Sequence, residues 1–220
     1  MNNYLKITYP KQTEYPEIFA LYLFVHYLSS KTKLLDIGCG IGEYVRAFRQ
    51  LNILAFGLDK RIETNPDLGY YKCDIEIEQI PFPDNYFDFI FTKSVIEHVQ
   101  NIEHLFTEIY RVLKPSGKII VMTPDWSSCY KDFYIDYTHI RPFTLKALRE
   151  TLLIFGFKNV KVEKFYQLPL LWKKPYLTFL AKLTSLFIND RFKWKDKEQT
   201  QQRIWIRFSK ELMLLGIGEK

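Results

Sequence analysis

Cysteine is scarce in this 220-residue chain: Cys39, Cys73 and Cys129 are an odd set that cannot all pair, so no disulfide framework is expected. Histidine is nearly as rare, and His26, His98, His104 and His139 show none of the ligand spacings of a zinc site, so no metal is expected. No apolar run reaches membrane-spanning length. Residues 18–28 come nearest, but at 11 residues, with His26 among them, they read as a helix packed on the domain. The first ten residues lack the apolar core and small-residue cleavage site of a signal peptide, which makes the cytoplasm the expected location. What the chain has in quantity is core-forming material. At 47% hydrophobic and 17% aromatic, residues 1–220 fit one α/β domain with a sizeable core.

Within it, Leu34-Leu35-Asp36-Ile37-Gly38-Cys39-Gly40-Ile41-Gly42 runs from an apolar strand through a glycine-rich turn into a helix starting near Glu43. Such a turn lets backbone N–H groups approach a ligand closely. A dinucleotide fingerprint would need G-x-G-x-x-G, whereas the third glycine here comes one position early and Glu43 takes its place. Asp36 at the strand end would repel a pyrophosphate and attract an ammonium, the group that S-adenosylmethionine carries. A second buried strand, 53–58, ends at Asp59, 21 residues after Gly38, where a carboxylate accepts hydrogen bonds from ribose hydroxyls. Further strands are expected at 70–73, 87–92 and 118–122. A helix with Ile102, Leu105, Phe106, Ile109, Val112 and Leu113 on one face lies between the last two, stopped by Lys114-Pro115-Ser116-Gly117.

The glycine loop, Asp74-Ile75, Lys93-Ser94-Val95-Ile96-Glu97-His98-Val99 and Arg111-Val112-Leu113-Lys114-Pro115-Ser116-Gly117-Lys118, in that order, resemble the class I S-adenosylmethionine-dependent methyltransferases, of the type 11 and type 23 families. The resemblance implies an α/β, Rossmann-like, seven-stranded and mostly parallel sheet, with helices on both faces and an antiparallel last strand at 210–219. It implies S-adenosyl-L-methionine as cofactor, with 33–124 as the cofactor-binding core. Its partners there would be Asp36, Gly38, Cys39, Gly40 and Gly42 in the loop, Asp59 and Lys60 at the ribose, Asp74 and Ile75 at the adenine, and Ser94 and His98 beneath. For His98 a packed or capping histidine is an equal reading.

The long segment after the fifth strand carries Trp126, Tyr130, Tyr137 and Arg141 as candidate acceptor contacts. Its Thr138-His139-Ile140-Arg141-Pro142-Phe143-Thr144 resembles methyltransferases of bacterial glycan and small-molecule pathways, which implies O-methylation of a sugar, glycan or related small hydroxylated acceptor. His139 has the pKa range for taking a hydroxyl proton, or else ties the loop to the following helix. Thr144 is expected to cap that helix, with Leu145, Leu148, Leu152 and Phe155 on its apolar face. The runner-up acceptor is RNA, given the pI near 9.0, although the Asn/Asp-Pro-Pro-aromatic motif is replaced by Thr92-Lys93-Ser94-Val95. A non-catalytic interaction module is the remaining alternative.

Charge singles out an insertion at 166–205. Residues 1–165 hold 20 Lys+Arg and 20 Asp+Glu, whereas residues 166–220 hold 11 and 5, and Trp172, Trp194 and Trp205 fall in the same quarter. Tyr176, Leu177, Phe179, Leu180, Leu183, Leu186 and Phe187 fit one helix face. That face reads as a lid, as a contact with an anionic membrane, or as an oligomer contact. A basic surface also suits a phosphate-bearing or lipid-linked acceptor.

Overall fold

The computed structural model describes residues 14–187 and 212–220. Its seven-stranded sheet has the order β3-β2-β1-β4-β5-β7-β6, built from β1 (Lys33–Ile37), β2 (Leu54–Asp59), β3 (Tyr70–Lys72), β4 (Phe87–Lys93), β5 (Leu113–Pro124), β6 (Lys158–Tyr166) and β7 (Leu212–Glu219). Strands β1 to β5 pair in parallel, and β7 runs antiparallel to both β5 and β6.

Apolar residues on both strand faces explain why the sheet is covered on both sides. Leu34 and Leu35 are neighbours in β1 yet belong to opposite cores. Leu34, Phe89 and Phe91 pack with Phe19 and Leu23 of α1 (Tyr15–His26) and with Val45 and Phe48 of α2 (Glu43–Gln50). Leu35 and Ile90 pack on the other face with Phe106 and Ile109 of α3 (Ile102–Val112). A short α4 (Trp126–Cys129) and then α5 (Leu145–Ile154) follow β5, and Leu148 and Leu152 of α5 join that second core. Thr144 does cap α5, accepting from the Ala147 N–H at 3.2 Å.

The helix ends at Val112, as the stop at 114–117 implies, but the fifth strand begins at Leu113 rather than 118 and pairs there with Phe87. Ser116 takes a φ of +60°, and residues 116 and 117 bond to Lys220 beyond β7, a long-range pairing that a local stop signal cannot show. The last strand is antiparallel as expected, and it lies between β5 and β6. The insertion begins with α6 (Pro169–Lys173) and α7 (Leu177–Ser185), while 188–205, with Trp194 and Trp205, lie outside the described residues.

Trp172 is half-buried and packs against the core. Its ring lies within 5.6 Å of Phe19, Tyr22 and Phe165, and its Nε1–H donates to the Tyr166 carbonyl at 2.6 Å. By contrast, Phe179 and Leu183 of α7, and Phe187 just beyond it, are exposed. No helix among the described residues is long and apolar enough to cross a membrane.

Candidate active site

Strand order reverses between β1 and β4, with β2 and β3 on one side and β5 on the other. Parallel α/β sheets open a ligand crevice at such a point, beyond the carboxyl ends of the strands. A cavity of about 340 Å³ lies there. Its lining draws on every neighbouring strand end: Gly38 and Gly40 after β1, Asp59, Lys60 and Arg61 at β2, Cys73, Ile75 and Glu76 after β3, Ser94, Glu97 and His98 after β4, and Pro124, Asp136 and His139 after β5.

The glycine loop is held by the strand beside it. The Gly38 and Cys39 N–H groups donate to the Leu58 carbonyl at 2.7 and 3.1 Å. Gly38 sits at φ +76°, and a Cβ there would collide with the Val95 side chain, so the strained turn needs glycine twice over. Asp59, 7% exposed, accepts from the Gly40 N–H at 3.1 Å through one oxygen and from the Arg61 N–H at 2.8 Å through the other. A carboxylate has about four lone-pair sites, so each oxygen retains one for a ribose hydroxyl.

Asp36 is buried behind the loop rather than on the cavity wall, and its Oδ2 has no hydrogen-bond partner. Burial, then repulsion from Asp59, pushes its pKa well above the usual carboxylate range, against the pull of Lys93. Two carboxylates meeting at adjacent strand ends attract a positively charged ligand group. Of the other expected cofactor contacts, Lys60, Ile75, Ser94 and His98 line the cavity, while Cys39, Gly42 and Asp74 do not. Cys39 is buried, Gly42 caps α2 at φ +76°, and Asp74 accepts from the Glu76 N–H at 3.2 Å.

The opposite wall is built by the loop after β5, which an Asp125–Phe143 bridge closes at its base. Asp125 is fully buried and takes Lys164 Nζ at 2.7 Å, which helps hold its carboxyl below the usual range against the effect of burial. The Ile140 and Arg141 N–H groups donate to the Glu97 carbonyl at 2.9 and 3.0 Å, drawing the loop onto the turn Ile96–His98. His98 and His139 thereby meet with ring centroids 4.6 Å apart. His139 Nδ1 stands 2.6 Å from the Phe133 carbonyl, which can only accept, so Nδ1 carries the proton and Nε2 the lone pair. His98 Nδ1 stands 2.9 Å from Thr138 Oγ1, whose own proton goes to Asp136 Oδ1 at 2.6 Å. His98 therefore also donates from Nδ1 and keeps a lone pair on Nε2. Burial, then the neighbouring His139, lowers its pKa and keeps it neutral. Glu97, fully buried, accepts from Thr123 Oγ1 at 3.0 Å, and burial pushes its pKa up to about 7.

Sequence reasoning overlooked Glu97 and Arg61, although each adjoins a residue it singled out. None of Trp126, Tyr130, Tyr137 and Arg141 lines the cavity. Trp126 packs against Tyr130, Phe133 and Tyr134. Tyr137 is 87% exposed, and Arg141 donates to the Gln100 carbonyl at 3.0 Å, tying the loop down.

The methyltransferase domain family matches residues 35–121. An uncharacterized protein of Methanocaldococcus jannaschii is 30% identical over 174 residues, 78% of this chain and 72% of that protein. This chain belongs to the methyltransferase family. Phosphoethanolamine N-methyltransferase 2 of Caenorhabditis elegans is 33% identical over 147 residues, 59% of this chain but only 33% of its own length. A SAM-dependent methyltransferase structure from Archaeoglobus fulgidus superposes with a TM-score of 0.67 at 24% identity and full coverage of both chains. Phosphoethanolamine N-methyltransferase 2 of Haemonchus contortus, solved with phosphomonomethylethanolamine and S-adenosylhomocysteine, gives 0.59 at 21% identity over 92% of this chain and 52% of that one. The last two likenesses are of fold.

As a member of that family the chain is an S-adenosylmethionine-dependent methyltransferase. The residues present fit the cofactor: Asp59 has lone pairs for ribose, Ile75 offers an apolar wall for a ring, and the partnerless Asp36 oxygen marks an electronegative strand end. When bound, the cofactor supplies an electrophilic methyl group on a sulfonium, whose transfer releases a neutral thioether, a good leaving group. Within the family, Asp59 and Ile75 would hold its nucleoside, while the glycine loop, with Asp36 behind it, would hold its amino-acid end.

Proposed function

We propose that this methyltransferase acts on a hydroxyl of a sugar, glycan or related small acceptor. The observation that carries this reading is the pair of imidazoles on the cavity wall opposite the cofactor loop, both donating from Nδ1, which leaves Nε2 of each ring for an acceptor's hydroxyl. His139 orients it and takes its proton as the oxygen becomes nucleophilic, with the Phe133 carbonyl holding the ring in its productive tautomer. An amine acceptor is the second reading, supported by the phosphoethanolamine N-methyltransferases among the relatives. Incubating matched hydroxyl and amine acceptors with the enzyme and S-adenosylmethionine, followed by mass spectrometry, separates the two. A gain of one methyl on hydroxyl oxygens is expected, and a gain confined to amines refutes the O-methylation reading.

The exposed face of α7 supports work at an anionic membrane surface, where a lipid-linked acceptor resides. Phe179 and Phe187 are 75% and 81% exposed, and Lys173, Lys174 and Lys182 stand exposed nearby in sequence. Each lysine near such a surface contributes about 1 kcal/mol, so changing all three to Gln should weaken partitioning onto anionic vesicles roughly a hundredfold. Co-sedimentation at low salt checks this, and wild-type protein that ignores anionic vesicles overturns it.

A further inference from the structure

The far wall of the cavity brings together three groups with unused lone pairs. Glu97 Oε1 is buried with no hydrogen-bond partner. His98 and His139 have each committed the Nδ1 proton elsewhere, to Thr138 Oγ1 and to the Phe133 carbonyl. One donor atom from each of Glu97, His98 and His139 lies within 4.8 Å of those of the other two. One proton relieves one such pair of groups. A divalent cation relieves all three at once.

We propose that Glu97, His98 and His139 form a binding site for a divalent first-row transition metal, with its open positions facing the cavity and the acceptor's hydroxyl. Two imidazoles and one carboxylate favour Zn²⁺, Co²⁺, Mn²⁺ or Fe²⁺ over Mg²⁺ and Ca²⁺, which prefer all-oxygen shells. The outer shell is in place. The Asp136–Thr138–His98 chain and the Phe133–His139 bond fix both ring tautomers, as supporting contacts do around metal-bound histidines. Sequence spacing conceals the site because Glu97 and His98 are adjacent on a tight turn and the third ligand arrives from a loop 41 residues later. The Ile140 and Arg141 bonds to the Glu97 carbonyl bring it there.

This inference rests on the hydroxyl-acceptor reading and deepens it. With the cation bound, His139 spends its one free lone pair on the metal instead of accepting the proton; the cation lowers the pKa of the acceptor hydroxyl, whose proton leaves to solvent through the cavity mouth.

The test uses tag-free full-length protein, stripped with a chelator and titrated with Co²⁺ or Zn²⁺ alone by calorimetry, with the visible spectrum of the Co²⁺ adduct as a second readout. Wild type is expected to bind one equivalent and to develop the absorption bands of Co²⁺ with nitrogen ligands. Glu97→Gln and His139→Asn should each bind at least about tenfold more weakly, and Thr138→Val, acting through the His98 ring, about 10–100-fold more weakly. S-adenosylhomocysteine titrations on the same preparations check the fold of each variant. Wild type that binds S-adenosylhomocysteine but no Co²⁺ or Zn²⁺, or that binds metal no better than these variants, overturns the proposal and leaves the methyltransferase assignment intact. Methylation confined to amines would instead defeat the hydroxyl reading, whatever the metal titration gives.

Discussion

Replacing His139 with alanine should lower turnover by about 10²–10⁴-fold, the usual contribution of a positioned proton acceptor, without changing affinity for S-adenosylhomocysteine. The expectation follows from the tautomer. The Phe133 carbonyl takes the Nδ1 proton, so the one lone pair of the ring faces the acceptor side of the cavity. A purely structural His139 would lose little turnover, because a sulfonium already carries a good leaving group and alignment alone can supply much of the rate. Single-turnover rates measured beside a calorimetric S-adenosylhomocysteine titration separate these cases. A fall of less than about threefold in the chemical step would reduce His139 to a loop anchor.

Asp59→Ala should produce the largest loss of cofactor affinity. Both carboxylate oxygens already accept backbone N–H groups, from Gly40 and Arg61, so the side chain is fixed before any ligand arrives. Hydrogen bonds to a charged group contribute about 1.5–3 kcal/mol each, and loss of those to the ribose should weaken S-adenosylhomocysteine binding by about 3 kcal/mol, or roughly 150-fold. Freeing the Gly40 and Arg61 N–H groups also loosens the loop, so Asp59→Asn, which keeps one acceptor oxygen, should fall in between. Equal affinity in wild type and Asp59→Ala would remove the β2 strand end from the site.

The cofactor side of the molecule was legible because its signals are local. Gly38 and Asp59 occupy strand ends whose apolar runs announce them, and Thr144 caps the helix that its neighbours predict. The acceptor side was not legible in the same way. Glu97 lies between Ile96 and His98 in a run that reads as the segment beneath the cofactor, and its place on the acceptor side comes from a loop that bonds to its carbonyl from residues 140 and 141. Aromatic residues in that loop looked like substrate contacts, but Trp126 spends its faces on Tyr130, Phe133 and Tyr134. Arg141 is held by backbone carbonyls. The inner position of β7 was hidden for a similar reason, since pairing with β5 and β6 is decided by register across the sheet and not by the composition of 212–219.

Asp59 at one end of the cavity and the histidine pair at the other would face the cofactor's ribose and the acceptor side respectively. A crystal structure of the protein with S-adenosylhomocysteine tests this most directly. The expected result has both ribose hydroxyls on the Asp59 carboxylate and the sulfur facing His98 and His139 across the space for an acceptor. A ligand whose sulfur points away from those imidazoles, or whose ribose makes no contact with Asp59, would contradict it.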